Sequence, residues 1–150
     1  MDSKNRFHTD STFRWVRAES LALLGALVVA LALHLGQVHW GRFALAFLAI
    51  DLIGYLPGAI AWRRQPQTPP GRIAPLYHHL YNVTHSYLTA GAVVLAWAAL
   101  SGGWEWAMLA LPIHLLGDRG LFGNTYKPVE LPFEPVAVPV LTSEALCAPQ

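Results

Sequence analysis

The sequence has little charge and almost no cysteine. Only 13% of its 150 residues are charged, where a soluble domain carries about 25%, and 54% are hydrophobic. The net charge of +1 excludes a strongly basic nucleic-acid-binding protein, and the high apolar content excludes a disordered chain. The single cysteine excludes both a disulfide framework and a cysteine-rich zinc module.

Long apolar runs predict an all-α fold, a four-transmembrane-helix bundle. A membrane-spanning helix needs about 20 apolar residues, and the first three runs reach that length. The fourth reaches it only when Asp118 to Leu121 are included. The predicted spans are 18–39, 43–62, 76–100 and 104–121. A soluble bundle is the alternative, but soluble helices normally carry a polar face, which the first run lacks.

The basic residues predict the orientation of this bundle. Nine of the ten lie on one predicted side: Lys4, Arg6, Arg14, Arg17, Arg63, Arg64, Arg72, Arg119 and Lys127. The positive-inside rule therefore places both termini in the cytoplasm. Residues 1–17 become a cytoplasmic segment, and the proline-rich residues 122–150 become an extended cytoplasmic tail. The predicted location is the cytoplasmic membrane of a bacterium, with the first helix as an uncleaved anchor.

Several polar residues fall inside the predicted spans. Asp51 lies in the second span, and His114 and Asp118 stand four residues apart in the fourth. In the third span, His78, Asn82 and His85 share one helical face. Measured at about 1.5 Å per residue from the helix ends, all of them fall in the cytoplasmic half. We therefore predict one polar cavity that opens to the cytoplasm.

This set of side chains suits a divalent metal ion. Imidazoles and carboxylates are the usual protein ligands of zinc and iron. The predicted ligands are Asp51, His85, His114 and Asp118. His78 is predicted as a further ligand or a general base, and Arg119 as the group that binds an anion such as phosphate. Tyr55, Tyr81 and Asn82 are predicted to donate hydrogen bonds around the ligands.

Three segments carry a resemblance to a known family. Asp51–Gly58, Tyr81–Tyr87 and His114–Pro128 resemble an uncharacterised bacterial family of small four-helix integral membrane proteins. Its segments read Asp-x-x-x-Gly-Tyr, Tyr-Asn-x-x-His-x-Tyr and His-x-x-x-Asp-Arg, with a closing Gly-x-x-Tyr-Lys. The first segment is one residue shorter here. More distantly, Thr84-His85-Ser86 and the His114–Asp118 segment are similar to inner-membrane proteins described as metal-dependent hydrolases, which implies that activity.

Three functions are compatible with the sequence. The first is a metal-dependent membrane hydrolase acting on a lipid-like substrate. The second is a non-enzymatic proton-relay or transport subunit, which at this size would need to form a homo-oligomer. The third is a structural membrane protein whose polar residues only join helices. The predicted partners are the lipid bilayer and a lipid-like molecule, without nucleic acid.

Overall fold

The computed structural model describes residues 9–65 and 73–134. Within these two ranges the chain is all-helical and contains no β-strand, which confirms the predicted fold class. Lys4, Arg6 and Arg72, which contributed to the predicted orientation, lie outside the described residues. So do most of the proline-rich linker and the predicted tail beyond residue 134.

The first helix begins earlier than its apolar run. Helix α1 spans Asp10–Ala32 rather than 18–39, because Thr9 caps it. The Thr9 hydroxyl accepts a hydrogen bond from the Thr12 amide, and the Thr12 hydroxyl accepts one from the Thr9 amide. Such a reciprocal pair satisfies amides that have no partner in the first turn. The helix therefore includes polar residues that precede the membrane-length run.

The second predicted span forms two nearly continuous helices. Helix α2 spans Trp40–Gly54 and helix α3 spans Leu56–Arg63, separated at Tyr55. Pro57 has no amide hydrogen to donate to the carbonyl of Ile53, which accounts for the interruption. The combined segment is 24 residues long and apolar enough to cross a membrane.

The third predicted span is broken at His85. Helix α4 spans Pro75–Thr84 and helix α5 spans Tyr87–Ser101, with a bend of 55° between them. The hydroxyl of Ser86 accepts a hydrogen bond from the amide of Leu88, 3.1 Å away, and so begins α5 as a new helix. The continuous helix expected over 76–100 is therefore replaced by a bent pair.

The fourth predicted span is divided into three helical pieces. A 3-10 turn over Trp106–Leu109 leads into helix α6, Ala110–Gly117, and a π-helical turn over Asp118–Phe122 follows. In the described part of the chain, α1 and the α2–α3 segment are long and apolar enough to cross a membrane, and the bent α4–α5 pair makes a third candidate. The structure therefore supports two to three spans of the four predicted.

The bundle core brings α2 against α4 and α6, while α1 packs on α6 and the π-helical turn. The chain after Gly123 folds back over this core. Its Phe133 is completely buried in a cluster with Ala59, Trp62, Ile73 and Tyr81. A β-carbon on Gly58 would overlap the Phe133 ring, so the glycine creates the space for it. The first part of the predicted tail is thus packed on the bundle.

Candidate metal centre

Three side chains from separate elements converge inside the bundle. Asp51 from α2, His85 from the α4–α5 break and His114 from α6 each offer one ligand atom within 4.8 Å of the others. Asp51 Oδ1 lies 3.3 Å from Nε2 of His85 and 3.7 Å from Nε2 of His114. The predicted His/Asp cluster is therefore confirmed for these three residues.

Asp118 lies beside the same two imidazoles. Its Oδ2 is 3.3 Å from Nε2 of His85 and 3.6 Å from Nε2 of His114. Asp118 is the first residue of the π-helical turn, directly after α6, so it stays one turn from His114. Both histidine Nε2 atoms consequently contact two carboxylates, one on α2 and the other after α6.

The hydrogen bonds of His85 fix the orientation of its ring. Nδ1 lies 3.0 Å from both the carbonyl oxygen of Tyr81 and the hydroxyl of Thr84. A carbonyl only accepts, so the contact with Tyr81 favours the tautomer with the hydrogen on Nδ1. The Tyr81 ring stacks on the imidazole at 3.8 Å. In the neutral ring, Nε2 then points an unshared electron pair toward the carboxylates of Asp51 and Asp118. This electron pair and the negative carboxylates repel each other. A proton or a metal ion bound at Nε2 removes the repulsion.

His114 is buried, and the two carboxylates beside its Nε2 are too far for hydrogen bonds. Neither of its ring nitrogens has a hydrogen-bond partner among the described residues, and Nε2 of His85 has none either. The ring packs against Phe47 with 4.7 Å between centroids. Buried polar atoms are almost always paired in folded proteins. The two Nε2 atoms that face the carboxylates can therefore bind a cation together with them.

A glycine in α2 lets these elements approach each other. A β-carbon at Gly54 would overlap the Thr84 side chain and lie 3.3 Å from Cε1 of His85. Gly54 is three residues after Asp51, so its contact with the end of α4 brings the carboxylate close to the imidazole. The glycine is thus a structural requirement of the cluster rather than only a helix-packing feature.

A cavity of about 380 Å³ adjoins the cluster. Its polar lining includes Asp51, His85 and Asp118, and half of the Asp51 side chain is exposed. Tyr55 and Tyr81 line it as well, so these two predicted residues do lie beside the ligands. The arrangement can hold a cation while leaving room for a small polar group next to it.

Two predicted residues are not brought into this cavity. His78 is buried, and its Nε2 donates to the carbonyl of Leu131 at 3.2 Å, against the edge of Phe133. The Arg119 guanidinium lies 4.0 Å from the Tyr87 ring centroid and 3.5 Å from the His85 carbonyl oxygen. Both side chains have their own contacts on other sides of the cluster.

Asn82 holds the returning chain instead of a ligand. Its Nδ2 donates to the Lys127 carbonyl at 2.9 Å, and its Oδ1 accepts from the Lys127 amide at 2.7 Å. These two bonds position Lys127 and Glu134, which line the cavity but were not predicted. The sequence did contain one indication of Lys127, because Tyr126-Lys127 matches the closing Gly-x-x-Tyr-Lys segment of the family that the chain resembles. Burial lowers the pKa of Lys127, while the carboxylates of Glu134 and Asp118 oppose the shift.

No family model, no curated protein and no solved structure matches this chain. Its function is therefore inferred from the geometry of the cluster and its cavity.

Proposed function

We propose that the chain is a multi-pass protein of the bacterial cytoplasmic membrane, with four crossings and both termini inside. The apolar α1, α2–α3 and α4–α5 segments support two to three of these crossings. The 3-10 turn, α6 and the π-helical turn would form the fourth. Three leucine side chains on α5, those of Leu88, Leu95 and Leu100, are each at least 73% exposed. Such exposure suits contact with lipid.

The proposed activity is metal-dependent hydrolysis of a lipid-like substrate. Asp51, His85 and His114 would bind zinc or iron, with Asp118 as a fourth ligand. The observation that carries this proposal is the convergence of Asp51, His85 and His114, whose ligand atoms lie within 4.8 Å of one another. Zinc held by three protein ligands keeps a fourth position for water and lowers the pKa of that water toward neutrality, which is the chemistry hydrolysis needs. With Asp118 bound as well, the water would take a fifth position.

Membership in the resembled four-helix family is part of the same proposal and depends on the motifs alone. The bilayer and a lipid-like substrate are the proposed partners. A homo-oligomer, and the absence of a nucleic-acid partner, stay predictions.

The test is the metal content of the detergent-purified protein. Roughly one zinc or iron ion per chain is expected, as in a three- or four-ligand site. His85→Ala and His114→Ala should lose it, whereas His39→Ala should keep it, since His39 is exposed at the start of α2. Wild-type protein that remains metal-free after supplementation with both ions would contradict the proposal.

A proton relay is the second candidate, because Nε2 of His85 contacts both Asp51 and Asp118 and a proton there satisfies the same geometry. Intramembrane carboxylates and histidines commonly form such relays. It predicts proton flux into liposomes by metal-free protein, abolished in Asp51→Asn. The absence of flux, together with bound metal, would favour the hydrolase.

A further inference from the structure

We infer that the cavity beside the cluster binds a phosphate group, with Lys127 as its cationic contact. This inference rests on the proposed metal site and specifies the substrate class of that site. Lys127 is the one Lys or Arg, within residues 9–65 and 73–134, that lines the cavity together with Asp51, His85 and Asp118.

The backbone of Lys127 is held on both sides by one side chain. Asn82 accepts from its amide and donates to its carbonyl, with bonds of 2.7 Å and 2.9 Å. Because α4 carries both Asn82 and Tyr81, which stacks on His85, Lys127 is fixed to the helix that directly precedes His85. A charge held in this way is preorganised for a ligand.

The ammonium group retains capacity for an anion. Nζ donates to the Phe133 carbonyl at 2.6 Å, and the Tyr81 and Phe133 ring centroids lie 4.9 Å and 4.3 Å away. Glu134 Oε2 is 4.0 Å from Nζ, too far for a hydrogen bond. A lysine has three donors, and one is used by the described residues. Two remain available in the neighbourhood of the cavity.

The charge balance no longer opposes an anion once the metal is present. A divalent ion would neutralise Asp51 and Asp118, which leaves Lys127 paired with Glu134 at 4.0 Å, longer than a hydrogen bond. Burial of an ammonium is costly without a close anion. Phosphate has several acceptor oxygens and can contact a metal ion and a lysine at once. Lys127 thus takes the role that the sequence predicted for Arg119, which does not line this cavity.

The test measures phosphate binding to zinc-loaded protein in detergent by calorimetry. One arm uses inorganic phosphate, and the other uses short-chain phosphatidic acid with phosphatidylcholine as the reference lipid. In at least one arm Lys127→Met should weaken binding about tenfold or more, the effect of losing a charged hydrogen bond. Lys127→Arg should retain most of it. Arg64→Met removes an exposed cation outside the cavity and should bind like the wild type.

Each result has a separate meaning. Binding of inorganic phosphate identifies a free phosphate ligand, and selective binding of phosphatidic acid identifies a headgroup. Either one supports the inference if Lys127→Met weakens it. Equal binding by Lys127→Met and the wild type, or no binding in both arms, overturns the inference while the metal site stands. Failure of the wild type to bind zinc overturns the proposed function itself, and is detected before phosphate is added.

Discussion

Gly54 on α2 faces the side chain of Thr84 so closely that no β-carbon fits between them. Gly54→Ala should therefore force α2 away from the end of α4 and separate Asp51 from His85. Overpacking of this kind costs roughly 1–3 kcal/mol in the free energy of unfolding. Thermal unfolding and zinc titration should both show the loss. Gly91→Ala in α5 is the matched control, since nothing lies within 4 Å of its β-carbon. Equal behaviour of the two variants would contradict the prediction.

Removal of the Asn82 amide should release the returning chain. Asn82→Ala deletes two hydrogen bonds to the Lys127 backbone, worth about 0.5–1.5 kcal/mol each. Hydrogen exchange at the Lys127 amide should become much faster, because that amide loses its acceptor. Exchange within α1 should stay as in the wild type. If the Lys127 amide remained protected, Asn82 would not be the contact that holds the chain.

Phe133→Ala should be the most destabilising change in the returning segment. The ring is completely buried against Gly58, and loss of a buried Phe costs roughly 3–5 kcal/mol. Phe122 is 74% exposed, so Phe122→Ala is the matched control for thermal unfolding. A melting temperature of Phe133→Ala close to that of the control would show that the segment does not contribute to the core.

Zinc should stabilise the folded protein by an amount that grows with the logarithm of its concentration above the dissociation constant. A ligand present at 100 times its dissociation constant adds about 2.7 kcal/mol to the free energy of unfolding. The wild type and His39→Ala should both show the rise in melting temperature. His114→Ala should not, because it removes a nitrogen that contacts Asp51 and Asp118. A rise of the same size in His114→Ala would place the ion elsewhere.

The affinity for phosphate should fall at a lower pH than it would if Lys127 had the ordinary pKa of a lysine. Burial holds the pKa of Lys127 below its usual 10.5, opposed by the nearby Glu134 and Asp118, with the Tyr55 and Tyr81 rings also facing it. Wild-type affinity should therefore decline as the pH rises toward 10.5, at a lower pH than for a lysine with an ordinary pKa, while Lys127→Arg keeps its charge and its affinity. Calorimetry across this range measures the difference, and parallel curves would contradict it.

The same shift has a defined sign for stability. The unfolded lysine holds its proton more tightly than the folded one, so the unfolded state binds more protons between the lowered pKa and 10.5. The free energy of unfolding should rise with pH in this window. In Lys127→Met that rise should be smaller, as measured by chemical denaturation.

The sequence was sufficient to predict that Asp51, His85 and His114 meet. Polar groups at similar depths in apolar helices have few other partners, so they converge. Helical spacing misplaced His78, because the returning chain supplies the Leu131 carbonyl that its Nε2 contacts. The spacing also assumed one continuous helix over this span, and Ser86 begins a second one. A serine inside an apolar run indicates a helix start only when its hydroxyl caps the next turn, which composition does not reveal.

The packing of residues 124–134, the returning chain, could not be predicted from the sequence for a different reason. Its prolines correctly excluded a long helix, but they do not indicate where an irregular segment packs. Phe133 is buried because Gly58 leaves space for it on a distant helix, and Lys127 is fixed through Asn82. Both contacts join residues far apart in the sequence, so no local pattern contains them.

The bend at His85 connects the cluster with the thickness of the surrounding bilayer. If the 55° is shared equally, α4 and α5 each tilt by about 28° from the bilayer normal, above the ~20° average for membrane helices. Their ten and fifteen residues then rise by about 33 Å, where a straight helix would rise by about 38 Å, against a hydrocarbon core of about 30 Å. A thicker bilayer would favour a straighter pair and draw the His85 ring away from Asp51. In the membrane protein that we propose, lipid chain length would therefore act on the joint that carries a proposed ligand.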